Sequence, residues 1–216
     1  MAPSAVVTTS SQERALDAAV ELVARWGVTK TTLGDVARAA AMSRATLYRC
    51  FPGGKDELFD LLAQREVARL LGAVADAVDA AGDLPTALAA GLHAAARAFD
   101  GHAALRFVLD HEPDLATAVL GFAEMDRLLR VVRRALAPHL VRFLDAPDAG
   151  WAAEWLARVF LSALVSPTPA FHLADPEVCH RLVRRYLAPA FAARSTAPVD
   201  RGTVPSHAAS PPVPIH

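Results

Sequence analysis

The sequence predicts an all-α protein, with a small three-helix head at the N-terminus and a larger helical body behind it. Three observations predict this. Ala, Leu and Arg dominate the 216 residues, and alternating β-branched runs are absent. Apolar residues recur at spacings of three and four. Capping residues and Gly or Pro breakers cut that pattern into helix-length pieces. Hydrophobic residues make up 53% and charged residues 21%, so a sizeable core can be buried and disorder of the whole chain is excluded.

Residues 1–9 read as a flexible lead, small and polar, without the basic-then-apolar order of a secretory signal. The first helix begins near Ser10, where Ser10-Ser11-Gln12-Glu13 has capping-box form. Ala15, Ala18, Ala19, Leu22, Val23 and Trp26 give it one apolar stripe, and Gly27 is placed to end it by entering the left-handed helical conformation. Thr32-Leu33-Gly34-Asp35 opens a second helix with Leu33, Val36, Ala37 and Ala40 inward. Ala41-Met42 makes a short turn, and Ser43 caps a third helix through Phe51. Pro52-Gly53-Gly54 breaks the chain. Lys55 opens a long fourth helix to about Ala81, with Asp56 and Glu57 in its first turn, where the helix dipole favours acids.

The division is therefore a head at 10–54 and a body at 55–194, with 55–81 as the connecting helix. Further helices are expected at roughly 85–99, 102–110, 113–120, 121–144, 148–165 and 175–193, separated by glycines and prolines. From 195 to 216 five prolines sit among Ser, Thr and Ala, the composition of a disordered tail. The longest charge-free apolar stretch, Val159 to Ala174, is shorter than a membrane span and contains Pro167 and Pro169. Two distant cysteines, Cys50 and Cys179, make no disulfide scaffold. These features predict a soluble, cytoplasmic protein with no membrane partner.

Two short helices around a tight turn, the second starting at Ser43, form a helix-turn-helix. The second helix of such a unit enters the major groove of DNA and offers its N-terminal side chains to base edges. Here those are Ser43, Arg44, Ala45, Thr46, Tyr48 and Arg49. Arginine forks onto guanine, Ala and the Thr methyl meet thymine methyls, and hydroxyls reach phosphates. The charge agrees. From Arg25 to Lys55 there are six basic residues and one acid, Asp35; from Asp56 to Arg194 there are fourteen basic and eighteen acidic. A basic head on an acidic body is the footprint of a chain that touches nucleic acid with one end.

Thr31 to Ala37, then Met42-Ser43-Arg44-Ala45-Thr46-Leu47-Tyr48-Arg49, then Phe51 to Leu58 with its Lys-x-Glu-Leu ending, together resemble the head of the TetR/AcrR family of regulators. The resemblance spans about residues 10–65. It implies a sequence-specific DNA-binding homodimer, mostly a repressor, whose divergent body binds a small molecule that changes DNA affinity. It implies that Arg44, Ala45 and Arg49 read bases, that Thr32, Thr46, Tyr48 and Lys55 grip phosphate, and that Leu47 and Phe51 fill the head core. Ala41 stands where the family most often has glycine, and a positive φ there would strain it.

In the body, aromatic density suggests a cavity between the helices near 85–125 and 148–171, lined by Phe99, Phe107, Phe122, Trp151 and Trp155 and suited to a hydrophobic or amphipathic effector. The last two helices are apolar over more than one face, so a partner subunit is expected against Val159, Ala163, Leu182, Tyr186 and Phe191. The expected partners are thus double-stranded DNA with a palindromic operator, the effector and a second copy of the chain. Metal-ligand spacing among the histidines is absent, as are a nucleophile elbow and a phosphate-cradling loop. No cofactor, metal site or enzymatic activity is expected. The competing reading is a dimeric DNA-binding regulator whose body only dimerises.

Overall fold

A computed structural model describes the backbone of residues 4–115, 122–187 and 189–191, and the side-chain surroundings of residues 10–115, 124–187 and 189–191. The tail at 195–216 and most of the helix expected at 113–120 lie outside the described residues, as does the side chain of Phe122. All regular structure among the described residues is helical.

The head is α1 (Ser4–Lys30), α2 (Leu33–Ala39) and α3 (Arg44–Cys50). α1 starts earlier than its capping-box sequence predicts, because no Gly or Pro between residues 4 and 9 stops the helix from running on. Residues 4–9 therefore do not form the flexible lead read from their composition. The helix breaks at Gly27, whose φ of 82° and ψ of 172° lie in extended backbone of inverted sign that only glycine adopts freely. The expected stop is correct in place and different in conformation. Thr32 and Ser43 cap α2 and α3 as their sequences predict, Thr32 with a full capping box against Asp35. Ala41 in the turn does take φ 52°, the strained left-handed value.

α4 (Gly54–Asp79) belongs to two cores at once. Its Leu58 and Leu62 complete a head core with Ala15, Leu16, Ala19, Leu22, Val36, Ala37, Leu47, Cys50 and Phe51. Its Leu71, Val74, Ala75 and Val78 join the body core. Trp26, read into the inner stripe of α1, is instead 44% exposed beside the break at Gly27.

The body continues as α5 (Leu84–Asp100), α6 (Ala103–His111), α7 (Phe122–Leu140), α8 (Ala146–Val165) and α9 (Pro176–Leu182), the last extended by one wide turn to Leu187. α5 lies on α4 at short range: a Cβ at Gly91 would stand 3.2 Å from Val78. α7 pairs with α8, α9 covers α5, and α6 leaves the body to lie along α1 of the head. The end of α4 is tied down by Arg142, whose Nη2 donates to the carbonyls of Val78 at 2.6 Å and Ala81 at 2.7 Å. No described helix is long and apolar enough to cross a membrane.

Candidate nucleic-acid interface

The head presents α3 to solvent. Leu47 and Cys50 turn inward, with Phe51 just beyond, while Arg44, Ala45, Tyr48 and Arg49 lie on the outer face at spacings of one and four. Cys50 is part of the head core. On the exposed side a chain of polar contacts runs along the helix. Ser43 Oγ accepts from the Thr46 N–H at 3.1 Å and lies 2.9 Å from Thr46 Oγ1, which accepts from Arg49 Nη2 at 3.3 Å. The Arg44 guanidinium lies over Gly34 at the start of α2, where an added Cβ would come within 3.3 Å of it.

Two further candidates flank α3. Thr32 is exposed at the N-terminus of α2, donating its hydroxyl to Asp35 at 2.6 Å and receiving the Asp35 N–H at 3.2 Å. Asp35, hydrogen-bonded first by Thr32 and facing Arg38, is held below the usual carboxylate range. Lys55, at the start of α4, reaches back across the head: its Nζ donates to the Thr29 carbonyl at 3.1 Å and sits 5.6 Å from the centre of the Phe59 ring. All eight predicted contact residues therefore lie on the head around one helix. A positively charged, hydroxyl-rich surface suits a duplex.

A family model for bacterial regulatory proteins of the tetR family matches residues 15–62. That span coincides with the head core, from Ala15 to Leu62. The whole fold is similar to solved regulators. The TetR family repressor AlkX from Dietzia sp. matches with a TM-score of 0.61 at 23% identity, over 80% of this chain and 93% of that one. The fatty acid degradation regulator FadR from Bacillus halodurans matches at 0.58 and 19%, over 82% and 96%. The multidrug binding protein EbrR matches at 0.55 and 21%, over 81% and 93%.

The head matches the tetR family model, and the chain has the fold of solved TetR-type regulators.

It combines a TetR-type helix-turn-helix head with a larger helical C-terminal domain. None of the curated proteins matches it in sequence.

The body departs from the sequence reading in where its aromatics go. Phe99 meets Phe160 edge-on, ring centres 6.3 Å apart, beside a groove of about 670 Å³ between α5, α8 and the 167–175 segment. Phe107 does not share that space. It stacks on His111 at 4.4 Å and presses against Gly27 of the head. Trp151 and Trp155, expected inside, are 49% and 50% exposed. They line a separate groove of about 800 Å³ with Val159, Phe171, Leu182 and Tyr186. The reason is α8's composition: its inner face is filled by Ala149, Ala152, Ala153 and Leu156, leaving the tryptophans on the other side.

The residues expected at the seam divide as well. Tyr186, 64% exposed, and half-buried Val159 lie on the tryptophan groove, whose floor the buried Leu182 and Phe191 also line, while Ala163 faces the other groove. Cys179 is buried and its thiol donates to the Leu173 carbonyl at 3.2 Å. Burial, with Asp175 nearby, pushes that thiol up to about 11, so it stays protonated and inert.

The contact between head and body is the feature sequence reasoning missed. Glu66 of α4, buried, receives Arg65 Nε at 2.8 Å, Arg69 Nη1 at 3.2 Å and His102 Nε2 at 3.0 Å. Arg65 in turn donates to Glu13 and Asp17 of α1. His102 caps α6, its Nδ1 accepting the Leu105 N–H at 3.2 Å. The two bonds together assign the tautomer with the proton on Nε2. A second contact joins Glu112, at the end of α6, to the backbone of Val28 and Thr29. Neither had a sequence signal beyond Gly27, since 36 and 84 residues separate the principal partners.

Proposed function

We propose that the protein is a homodimeric repressor that holds a palindromic operator and releases it when an apolar or amphipathic molecule occupies the body. The observation that carries this reading is α4, whose leucines are shared between the two cores. A change in how α4 packs on α5 cannot leave the head where it was. The effector space is the groove beside Phe99 and Phe160, which also includes Ala96, Leu164 and Leu173 and admits a small apolar compound. The relatives named above concern n-alkane biodegradation, fatty acid degradation and multidrug binding, which supports an apolar ligand.

The second copy covers Trp151, Trp155 and Tyr186. Three large aromatics left half-open on one face of a body this apolar mark a protein contact, and a two-fold pair is the closed assembly that buries them mutually. In the bound state Arg44, Ala45 and Arg49 face base edges, while Thr32, Ser43, Thr46, Tyr48 and Lys55 face phosphates. Lys55 keeps its bond to the Thr29 carbonyl and offers its remaining ammonium donors to a phosphate oxygen.

The test starts from a duplex selected by the full chain out of a random pool. Arg44→Ala is expected to cost about 1–3 kcal/mol and to relax preference at one base of each half-site. Lys55→Ala is expected to weaken all sequences alike and to flatten the salt dependence. For the effector, alkyl and aromatic compounds are screened by thermal shift, and each hit is titrated against free and operator-bound protein. Linkage requires weaker binding to the DNA complex by the factor with which the compound weakens DNA. Hits that bind both forms equally overturn effector control and leave a regulator whose body only dimerises.

A further inference from the structure

α1 breaks at Gly27, and the peptide N–H groups that follow are taken up from 84 and 83 residues away. Val28 N–H donates to Glu112 Oε2 and Thr29 N–H to Glu112 Oε1, each at 2.8 Å. One carboxylate thus forks onto two successive backbone donors. Gly27 is buried against it: a Cβ there would stand 2.8 Å from Glu112 Cδ and 2.8 Å from Phe107 Cε1. The contact therefore needs glycine both for its φ and for its missing side chain. Burial pushes the Glu112 carboxyl up, but the bonds from Thr29 and Val28 and the charge of Lys55 outweigh it, and the group is held below its ordinary range.

The same Thr29 peptide is gripped on its other side, where its carbonyl accepts from Lys55. Two residues on, the buried Thr31 hydroxyl donates to the Gly27 carbonyl at 2.6 Å, and Thr32 then caps α2. The segment 27–32 is thereby clamped between a body carboxylate and the residues that border the DNA-reading helix.

We propose that Glu112 is a positioning residue for DNA binding: its carboxylate fixes segment 27–32, and through it Lys55 and the start of α2, in the orientation from which α3 engages the duplex. Glu112 itself touches no DNA. The inference rests on the head's DNA binding alone and holds whether or not an effector exists.

Two opposing effects make it testable. A carboxylate near a DNA-binding surface repels phosphate, so neutralising it for charge alone tightens binding. Losing the fork loosens the head and weakens binding. Glutamine keeps the size of the side chain but offers one acceptor oxygen, and its NH₂ cannot accept the second N–H. Full-length Glu112→Gln is compared with the parent on the pool-selected duplex, at a temperature where thermal scans show both folded. The expected result is a Kd raised about tenfold, a slope of log Kd against log salt no steeper than the parent's, and faster amide exchange at Val28 and Thr29. Unchanged affinity with faster exchange makes the fork merely structural and overturns the proposal. Tighter binding overturns it as a charge effect. Gly27→Ala attacks the same contact from the head side. The double variant should bind no more weakly than the weaker single, since both remove one interaction; additive losses overturn the assignment.

Discussion

The head and the body treat their surfaces differently. In the head, Leu47, Phe51, Leu58 and Val36 are buried almost completely, and α3 shows solvent two arginines, a tyrosine and small polar groups. In the body, the core is built largely of alanine and leucine, while Trp151, Trp155 and Tyr186 stand half-open or more. Under the proposed function, what each region leaves uncovered matches the chemistry of its partner: charge and hydroxyls for a polyanion, aromatic area for protein. The contrast also teaches why aromatic density misleads as a guide to cavities. In a helix apolar on all sides, alanine faces the neighbouring helices and tryptophan the outside, because only a small side chain permits close helix approach.

The largest effect expected of a single change is in the head. Phe51→Ala empties the centre of a small core and should cost about 3–5 kcal/mol. Because the described contacts between head and body are concentrated along α4 and between α1 and α6, amide exchange should rise throughout residues 15–62 while the body keeps its helices. Equal loss of protection in both regions would mean that head and body are one cooperative unit. Next comes the body's open face. Trp155→Glu with Tyr186→Glu should yield monomers by sedimentation at micromolar concentration with an unchanged helical spectrum. A persisting dimer would move the seam elsewhere. Leu182 and Phe191 are poorer probes, being buried within the chain.

The joint between the regions should respond to acid. Glu66 and Glu112 are both held below the usual range; in Glu66, burial pushes upward but the bonds from His102 and Arg65, with the charges of Arg65 and Arg69, prevail. Depressed folded values mean that stability is full above the unfolded glutamate value of about 4.3 and declines as pH falls through the folded values. Denaturant midpoints measured from pH 6 downward should fall for the parent and fall less for Glu66→Gln or Glu112→Gln. Parallel curves would remove these carboxylates from the acid transition. The smallest effect is a gain: Ala41→Gly relieves φ 52° and should stabilise the head by about 1 kcal/mol. A loss there would show that the turn tolerates its alanine.

Most helix limits were legible because their stops are local chemistry. Asp83 caps α5 through the Thr86 N–H at 2.8 Å, Gly101 ends it, and Ser43 and Thr32 cap the head helices. The strained turn at Ala41 was legible too, since glycine was missing where the resembling family uses it. That the candidate DNA-contact residues gather on one side of the head was readable for the same reason: they lie within one short stretch. The body's partners were not, because the sequence shows that a helix is apolar all round without showing which side meets its own chain. Nor was the Glu112 fork, whose donors are backbone groups that every sequence possesses.

Arg142 gives α4 a further property. By holding the carbonyls of Val78 and Ala81 it pins one end of a 26-residue helix whose other end carries the head. At 1.5 Å per residue that helix is roughly 39 Å long, so a tilt of about 5° around the pinned end displaces Gly54 by roughly 3 Å. A shift of about that size exceeds the tolerance of a hydrogen bond to a base edge, which is lost beyond roughly 3.5 Å. Under the proposed function the pinned end would act as a fulcrum, and rearrangements in the body too small to disturb its packing would be magnified, by leverage alone, into the difference between a head that fits the groove and one that does not.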